Sequence, residues 1–461
     1  MDNPKMKVIN NILVEKSLKF KPTMYSTLEK QMRKHFIPGV SIAVINDYKI
    51  DWTEGFGVKE KGKNEIITSE TLFQAGSISK PVAALGALRL VQEDKIGLDD
   101  DVNDYLKTWK IPKNGDYQPR VTVRQILSHT AGITVHGFPG YPKSVPLASE
   151  IEVLNGEGYA NTEKIEVDWI PGLSFRYSGG GYTILQHLMA DITGQPFPEL
   201  MNELVLNRLG MTNSTYSQPL PTELWGKEAT GHHNVYGNSI PGKWHIYPEM
   251  AAAGLWTTPT DLAKFTIEIQ LSKLGKSNKI ISKSLTEEML SPQKNSTYGL
   301  GFGIEKKEDQ VIFQHGGWDE GFVSSLVAYA DHGKGIVVMT NKDFMSNILI
   351  KEIVDTVAHA YNWSGYVERE NYNFIPDSKV EEDIIGKYEL ESEFFFEISK
   401  ESNQLFLQPT GQPKIRLFTK SELKYFTKAV NVEIEFTREK EGTIRKLILK
   451  QGEKEFEAKR V

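Results

Sequence analysis

The sequence contains no cysteine. That excludes disulfides, thiolate metal sites and a cysteine nucleophile, and it leaves the redox compartment open. Nowhere does it run to about 18 consecutive apolar residues, the length a membrane-spanning helix needs. Residues 1–20 carry charges throughout and lack the apolar core of a signal peptide. The expectation is therefore a cytoplasmic protein without an integral membrane segment, the alternative being a peripheral place in the cell envelope. Neither charge sign dominates: the net charge is −6, with 54 basic and 60 acidic residues interspersed, so no nucleic-acid footprint is visible. Low-complexity tracts and internal repeats are missing too. What the chain does have is length and apolar mass. Its 461 residues, 39% hydrophobic, with 8 Trp, 18 Tyr and 21 Phe, suffice for two or three domains with sizeable cores.

One stretch organises the rest. Gly76-Ser77-Ile78-Ser79-Lys80-Pro81 leads into Val82-Ala83-Ala84-Leu85-Gly86-Ala87-Leu88, apolar on nearly every face. This is the pattern of a helix buried on all sides. Pro81 is tolerated only in the first turn, so the helix begins close to Ser77. Ser77 and Lys80 then project from one side of its start. The positive helix end and burial both favour a neutral Lys80 amine, able to take a proton from Ser77. The same Ser-x-x-Lys spacing at Ser291–Lys294 and Ser421–Lys424 has no buried helix behind it. For an isolated match the plainer reading is a capping serine and an outward-reaching lysine, so partners elsewhere must decide.

Tyr25, Leu28, Met32 and Phe36 recur at helical spacing, which predicts a helix ending before Pro38-Gly39. Val40–Ile45 and Tyr48–Trp52 flank Asn46-Asp47 as a hairpin. Asp99-Asp100-Asp101 lack metal-ligand spacing and read as a cap and a solvated loop. Residues 121–132 read as a capped helix ending at Gly132, and residues 134–146, rich in Gly, Pro and aromatics, as a loop rather than core. A helix carrying Ile184, Leu185, Leu188 and Met189 stops at Gly194, and another opens at 258–261. From Tyr298 the period becomes that of strands, through His315-Gly316-Gly317 at a strand end and a hairpin at 331–333, before a helix over 348–361. Strands at both ends with helices between imply one sheet enclosing an inserted helical block. After residue 378, eight short strands at regular intervals predict a small all-β barrel or sandwich.

Two further stretches fit the Ser77 chemistry. Tyr177 precedes Ser178-Gly179-Gly180-Gly181 at a helix entrance, where its phenol, its pKa lowered by a lysine ammonium, could shuttle protons. His315-Gly316-Gly317 lets a substrate backbone lie along the strand, and the amides of Ser77 and Trp318 could form an oxyanion pair. Taken singly, Tyr177 reads more plainly as a core tyrosine, the glycines as a turn and His315 as a satisfied surface residue. His129 reads as a packing residue, and His232, His233 and His245 as loop residues that match no zinc motif. No cofactor or metal is called for.

Together Ser77-x-x-Lys80, Tyr177-Ser178-Gly179 and His315-Gly316-Gly317 resemble the three motifs of penicillin-binding proteins and class C β-lactamases. That group includes D-Ala-D-Ala carboxypeptidases and esterases. The resemblance spans residues 24–361 and extends to low-molecular-mass penicillin-binding proteins of bacilli with a C-terminal β domain. It implies an α+β fold, a β-lactamase/transpeptidase-like antiparallel sheet flanked by helices with an inserted helical subdomain, plus a small lipocalin-like barrel. The divisions it suggests are an extension over 1–23, a hydrolase domain over 24–365, a linker over 366–377 and the barrel over 378–461. It further implies that Ser77 is acylated, that Lys80 and Tyr177 exchange protons, and that Gly179, His315, Gly316, Gly317 and Trp318 hold the substrate and its acyl oxygen. The implied activity is that of a penicillin-binding serine hydrolase acting on D-amino-acid peptides, amides or esters, a weak β-lactamase at most. The alternative is a slow-turnover sensor of penicillin or muropeptides; the oligomeric state stays open. Gly179 stands where relatives often carry Asn, and His315 where they often carry Lys. An ordinary histidine is mostly uncharged at pH 7 and charges towards pH 6, so acid should improve capture of anionic substrates.

Overall fold

The computed structural model describes residues 4–15, 24–307, 309–364, 378–401, 404–427, 432–438, 443–451 and 454–461. The expected linker at 366–377 and much of the expected extension at 1–23 lie outside them. These residues fall into two compact units, one of 4–12 and 26–364, the other of 13–15, 24–25 and 378–461.

In the larger unit, helix α1 (Leu28–Lys34) precedes strands β1 (Gly39–Asn46) and β2 (Lys49–Gly57). Asp47 and Tyr48 both take positive φ (50° and 59°), the conformation of a two-residue type I′ turn. Helix α2 (Ser79–Gln92), α3 (Gly179–Thr193), α4 (Met250–Ala253) and α5 (Pro259–Lys273) form most of the inserted block. Strands β3 (Gly303–Lys307), β4 (Gln310–Asp319), β5 (Phe322–Tyr329) and β6 (Gly335–Thr340) follow, and α6 (Ser346–Ala360) closes the unit. The strands make one antiparallel sheet of order β3-β4-β5-β6-β1-β2, so strands from both ends of the unit meet at the β6–β1 pair. Helix α5 covers it by packing Ala263 on Ala43 and Ile45. Helix α2 is buried on all sides: eleven of its residues, Lys80 among them, are inaccessible.

The smaller unit is a closed antiparallel barrel of eight strands, β7 (Gly386–Glu391), β8 (Phe394–Glu401), β9 (Gln404–Pro409), β10 (Ile415–Thr419), β11 (Lys424–Thr427), β12 (Val432–Arg438), β13 (Ile444–Gln451) and β14 (Lys454–Arg460). Alternate residues such as Ile434, Phe436, Leu447 and Leu449 fill its interior. A helix over Ser378–Ile384, which the strand pattern does not announce, adds Ile384 to that core. Among the described residues no helix is long and apolar enough to cross a membrane.

Several expectations are corrected. The helix expected from Tyr25 to Phe36 is only Leu28–Lys34, capped by Thr27, with Phe36 in a left-handed, exposed turn. The helix expected over 121–132 is the five residues Val123–Leu127, because His129 takes φ 58°. Residues 134–146 are not all surface: Phe138 and Tyr141 lie in the main core. His232 and His245 belong to two-residue strands, and His232 is fully buried, donating from Nδ1 to the Asn341 carbonyl. Asp99 pairs with Arg124, and Asp101 caps the next helix.

Candidate active site

Ser77 sits in a 3₁₀ turn (Gly76–Ile78) that feeds directly into α2. Gly76 takes φ 53°, and a Cβ there would come within 2.4 Å of the Trp318 nitrogen, so only glycine lets β4 approach the turn so closely. Three bonds fix the turn. The Ser79 hydroxyl donates to the Gly76 carbonyl (2.6 Å), the Tyr216 hydroxyl donates to the Ser79 carbonyl (2.6 Å), and Ser324 Oγ donates to the Ala75 carbonyl (2.7 Å).

Lys80, 1% exposed, places Nζ 2.9 Å from Ser77 Oγ and 2.8 Å from the Ala252 carbonyl on α4. Burial lowers its pKa to about 7, with Asp319 pulling the other way. A large fraction of Lys80 is therefore neutral at neutral pH, in contact with the hydroxyl it would deprotonate.

Tyr177 lies just before α3, whose N-cap Ser178 accepts from the Gly181 amide. Its ring centre is 5.1 Å from Lys80 Nζ, 4.2 Å from the His129 ring and 4.8 Å from the His136 ring. The expected lowering of its pKa is overturned. Burial raises it to about 12, and the neighbouring Ser77 hydroxyl opposes this only in part. Tyr177 is a phenol at rest, a proton donor rather than a base. His129 accepts the Ser178 amide on Nδ1 (3.1 Å) and is held neutral by burial, which fits its packing role.

Along β4, His315, Gly317 and Asp319 point inward while Gly316 and Trp318 face solvent. His315-Gly316-Gly317 therefore lies inside a strand, paired with Leu326, Ser325 and Ser324, and not at its end as expected. The two glycines also differ. A Cβ at Gly317 would fall 1.9 Å from the Ala75 carbonyl oxygen and 2.2 Å from Ser324 Oγ, whereas one at Gly316 meets nothing closer than 3.9 Å. The first glycine leaves the outer face open; the second lets the strand touch the Ser77 turn. His315 donates from Nδ1 to the Gly316 carbonyl (2.7 Å), and burial, aided by Lys80, lowers its pKa to about 3. It does not charge near pH 6.

Ser77, Lys80, Tyr177, His315, Gly316, Gly317 and Trp318 line one cleft of about 890 Å³. Gly179 does not: it is buried, its amide donates to the His136 carbonyl (3.0 Å), and a side chain there would press on the Phe138 ring. A side chain at this position, such as the Asn of related motifs, would need the Phe138 ring and the His136 carbonyl to give by a few tenths of an ångström. The other two Ser-x-x-Lys matches are plain surface features, Ser291 donating to the Glu287 carbonyl and Ser421 lying in the turn before β11. Sequence reasoning missed His136, Phe138, Phe175 and Tyr298, which also line the cleft. Phe175 and Tyr298 stack at 5.3 Å. The glycines at 299, 301 and 303 after Tyr298 were the available signal; His136 and Phe138 carried none. Among the described residues the lining contains no arginine, aspartate or glutamate, and Lys80 is its only lysine.

Residues 25–353 match the Beta-lactamase family. Penicillin-binding protein 4* of Bacillus subtilis (strain 168) is 23% identical over 458 residues, which cover 94% of this chain and 96% of that protein. Protein flp of Staphylococcus aureus (strain MRSA252) is 26% identical over 331 residues, 68% of this chain and 61% of that protein. Among solved structures, the octameric penicillin-binding protein homologue from Pyrococcus abyssi superposes with a TM-score of 0.64 at 22% identity, over 93% of this chain and 98% of that one; at this identity the likeness speaks for the fold alone.

Proposed function

Because the chain belongs to the Beta-lactamase family, we propose that it is a serine hydrolase of the penicillin-binding type that forms an acyl-enzyme on Ser77. The observation that carries this reading is the 2.9 Å contact between Ser77 Oγ and the Nζ of a fully buried lysine. In this reading the neutral Lys80 amine takes the hydroxyl proton as Oγ attacks the carbonyl carbon. Tyr177, a phenol at rest, supplies a proton to the leaving group, and Lys80 replenishes it. The Ser77 and Trp318 amides, brought together by Gly76 and Gly317, receive the developing oxyanion. Gly316, open on its outer face, offers its main chain to an extended substrate.

The substrates would be small D-amino-acid peptides, amides or esters, with β-lactams acylating the same serine. The second reading is slow deacylation, that of a penicillin or muropeptide sensor. Turnover of D- and L-configured amides, aryl esters and β-lactams decides between them. A hydrolase turns over at least one class repeatedly, whereas a sensor releases one equivalent and stops.

Substrate charge gives a separate test. With His315 neutral throughout and no lining arginine, kcat/KM for an anionic cephalosporin should be low relative to a neutral aryl ester. His315 should add nothing to the pH dependence of that ratio between about pH 6 and about pH 8, because a group whose pKa is near 3 does not titrate there; the cleft cation that does is Lys80, at about 7. The pH profile of the ratio should therefore be the same in His315→Gln as in wild type; a climb towards pH 6 that His315→Gln abolishes would mean that His315 titrates there.

A further inference from the structure

Tyr298 lines the cleft together with Ser77, Lys80 and Tyr177, and the mechanism above gives it no task. Its hydrogen bonds are main-chain ones: the amide donates to Ser296 Oγ (2.9 Å) and the carbonyl accepts from the Gln293 amide (2.9 Å). No described residue pairs with its hydroxyl. The tyrosines nearby differ. Tyr182 donates to the Leu127 carbonyl (3.1 Å), Tyr216 donates to the Ser79 carbonyl (2.6 Å), and Tyr247 accepts from the Glu320 amide (2.9 Å). A largely enclosed tyrosine ordinarily finds a partner for its hydroxyl, so the partner of this one belongs in the cleft.

The ring that carries the hydroxyl is fixed. It stacks on Phe175 at 5.3 Å and stands edge-on to His129 (5.2 Å), His315 (6.0 Å) and Tyr177 (6.2 Å). A donor held this way loses little freedom when a ligand arrives. Burial raises its pKa to about 12, so it keeps its proton at neutral pH.

Its place beside β4 says what it would meet. Strand β3 pairs with β4 only from Gly303–Gln314 to Lys307–Gln310. Before Gly303 the chain turns away through Gly301 (φ 102°), where a Cβ would come within 2.7 Å of the Ala84 side chain on α2. Residues 315–318 of β4 therefore have no strand partner on that side among the described residues. The Tyr298 ring covers the point where the ladder stops, its Cζ 3.7 Å from where a Cβ at Gly303 would lie. A substrate extended along the open stretch, its scissile carbonyl between Ser77 and the Trp318 amide, runs past this ring. Tyr177, the proton donor to the leaving group, is the neighbour of Tyr298, so the half that passes is the leaving group.

We propose that Tyr298 is a specificity-determining residue: its hydroxyl donates to a neutral carbonyl on the leaving group, so that substrates continuing past the scissile bond, or ending in an amide, are favoured over those ending in a free carboxylate. This deepens the serine-hydrolase reading above and rests on it. A desolvated carboxylate needs a cation beside it. The lining offers no arginine among the described residues, and its one lysine, Lys80, is already engaged with Ser77 Oγ and the Ala252 carbonyl. A neutral carbonyl needs only the one donor.

Three esters of N-acetyl-D-alanine that differ in the leaving alcohol test this: glycolamide, with a neutral carbonyl, glycolate, with a carboxylate, and propanol, with neither. Comparing each ester between wild type and Tyr298→Phe cancels its intrinsic reactivity. The substitution removes an oxygen without a protein partner and keeps the ring stack, so the fold should hold. The glycolamide-to-propyl ratio of kcat/KM should fall about 3- to 10-fold in Tyr298→Phe, the net worth of one neutral hydrogen bond. Wild type should also prefer the glycolamide ester to the glycolate ester. A ratio that Tyr298→Phe leaves unchanged, or a wild-type preference for glycolate, would overturn the proposal. Equilibrium binding of the glycolamide and propyl esters to Ser77→Ala, with and without Tyr298→Phe, reads the same contact without chemistry. A binding ratio that shifts by the same factor, in a protein whose Ser77 no ester acylates, would sink the serine-hydrolase reading and leave the contact standing. Normal acylation of Ser77 with no shift in either ratio would sink the contact alone, and a protein that neither binds nor reacts with these esters would sink both.

Discussion

Lys80→Met should slow acylation of Ser77 by ~10²–10⁴-fold, the usual worth of a positioned general base. The replacement keeps the volume of a fully buried side chain and removes a charge centre from an apolar interior, so the fold should survive. What is lost is the amine 2.9 Å from Ser77 Oγ. Without it the hydroxyl keeps its ordinary reluctance to ionise. Tyr177→Phe should cost ~10²-fold or more, because the phenol delivers a proton that Lys80 must replace. If the two work as one relay, the double variant loses little beyond the worse single one, as groups acting as a unit are non-additive. Single-turnover labelling with a chromogenic ester, read beside far-UV circular dichroism to check folding, measures all three. Losses that simply multiply would show that Lys80 and Tyr177 act on separate steps.

Gly317→Ala should be nearly as damaging, although it adds one methyl group to a residue that bears no reactive group. That methyl would lie 1.9 Å from the Ala75 carbonyl oxygen and 2.2 Å from Ser324 Oγ, so β4 must withdraw from the Ser77 turn. Overpacking of this kind costs roughly 1–3 kcal/mol, visible as a lowered Tm. The larger effect is on chemistry. Moving the Trp318 amide away from Ser77 removes an oxyanion donor, worth ~10²–10³-fold in the acylation rate. Gly316→Ala is the control, because its methyl meets nothing within 3.9 Å and Tm should hold. Equal melting temperatures and equal acylation rates for the two variants would remove the distinction between the glycines.

Much of this arrangement was legible in the chain, for identifiable reasons. Pro81 pins the start of α2, and the apolar run after it can only be buried, so the Ser77–Lys80 pair is fixed by local rules. The β-hairpins near 46–47, where the turn falls one residue later at Asp47-Tyr48, and at 331–333, and the eight barrel strands each carry alternation and turn residues of their own. What escaped were properties that exist only once distant segments meet. His315 and Tyr177 look like an ordinary imidazole and a phenol awaiting activation; burial turns one into a permanently neutral group and the other into a resting acid. Nothing local shows that residues 134–138 cross the start of α3, where the His136 and Val135 carbonyls accept from the Gly179 and Gly180 amides. That crossing brings the Phe138 ring within 3.0 Å of where a Cβ at Gly179 would lie.

The central claim, that Ser77 is the nucleophile, is tested most directly by intact-protein mass spectrometry after reaction with a fluorescent penicillin and, separately, with a fluorophosphonate. One adduct per chain is expected from each reagent, mapped by peptide sequencing to Ser77 and absent from Ser77→Ala. Labelling that persists in Ser77→Ala, or that maps to Ser291 or Ser421, would contradict it.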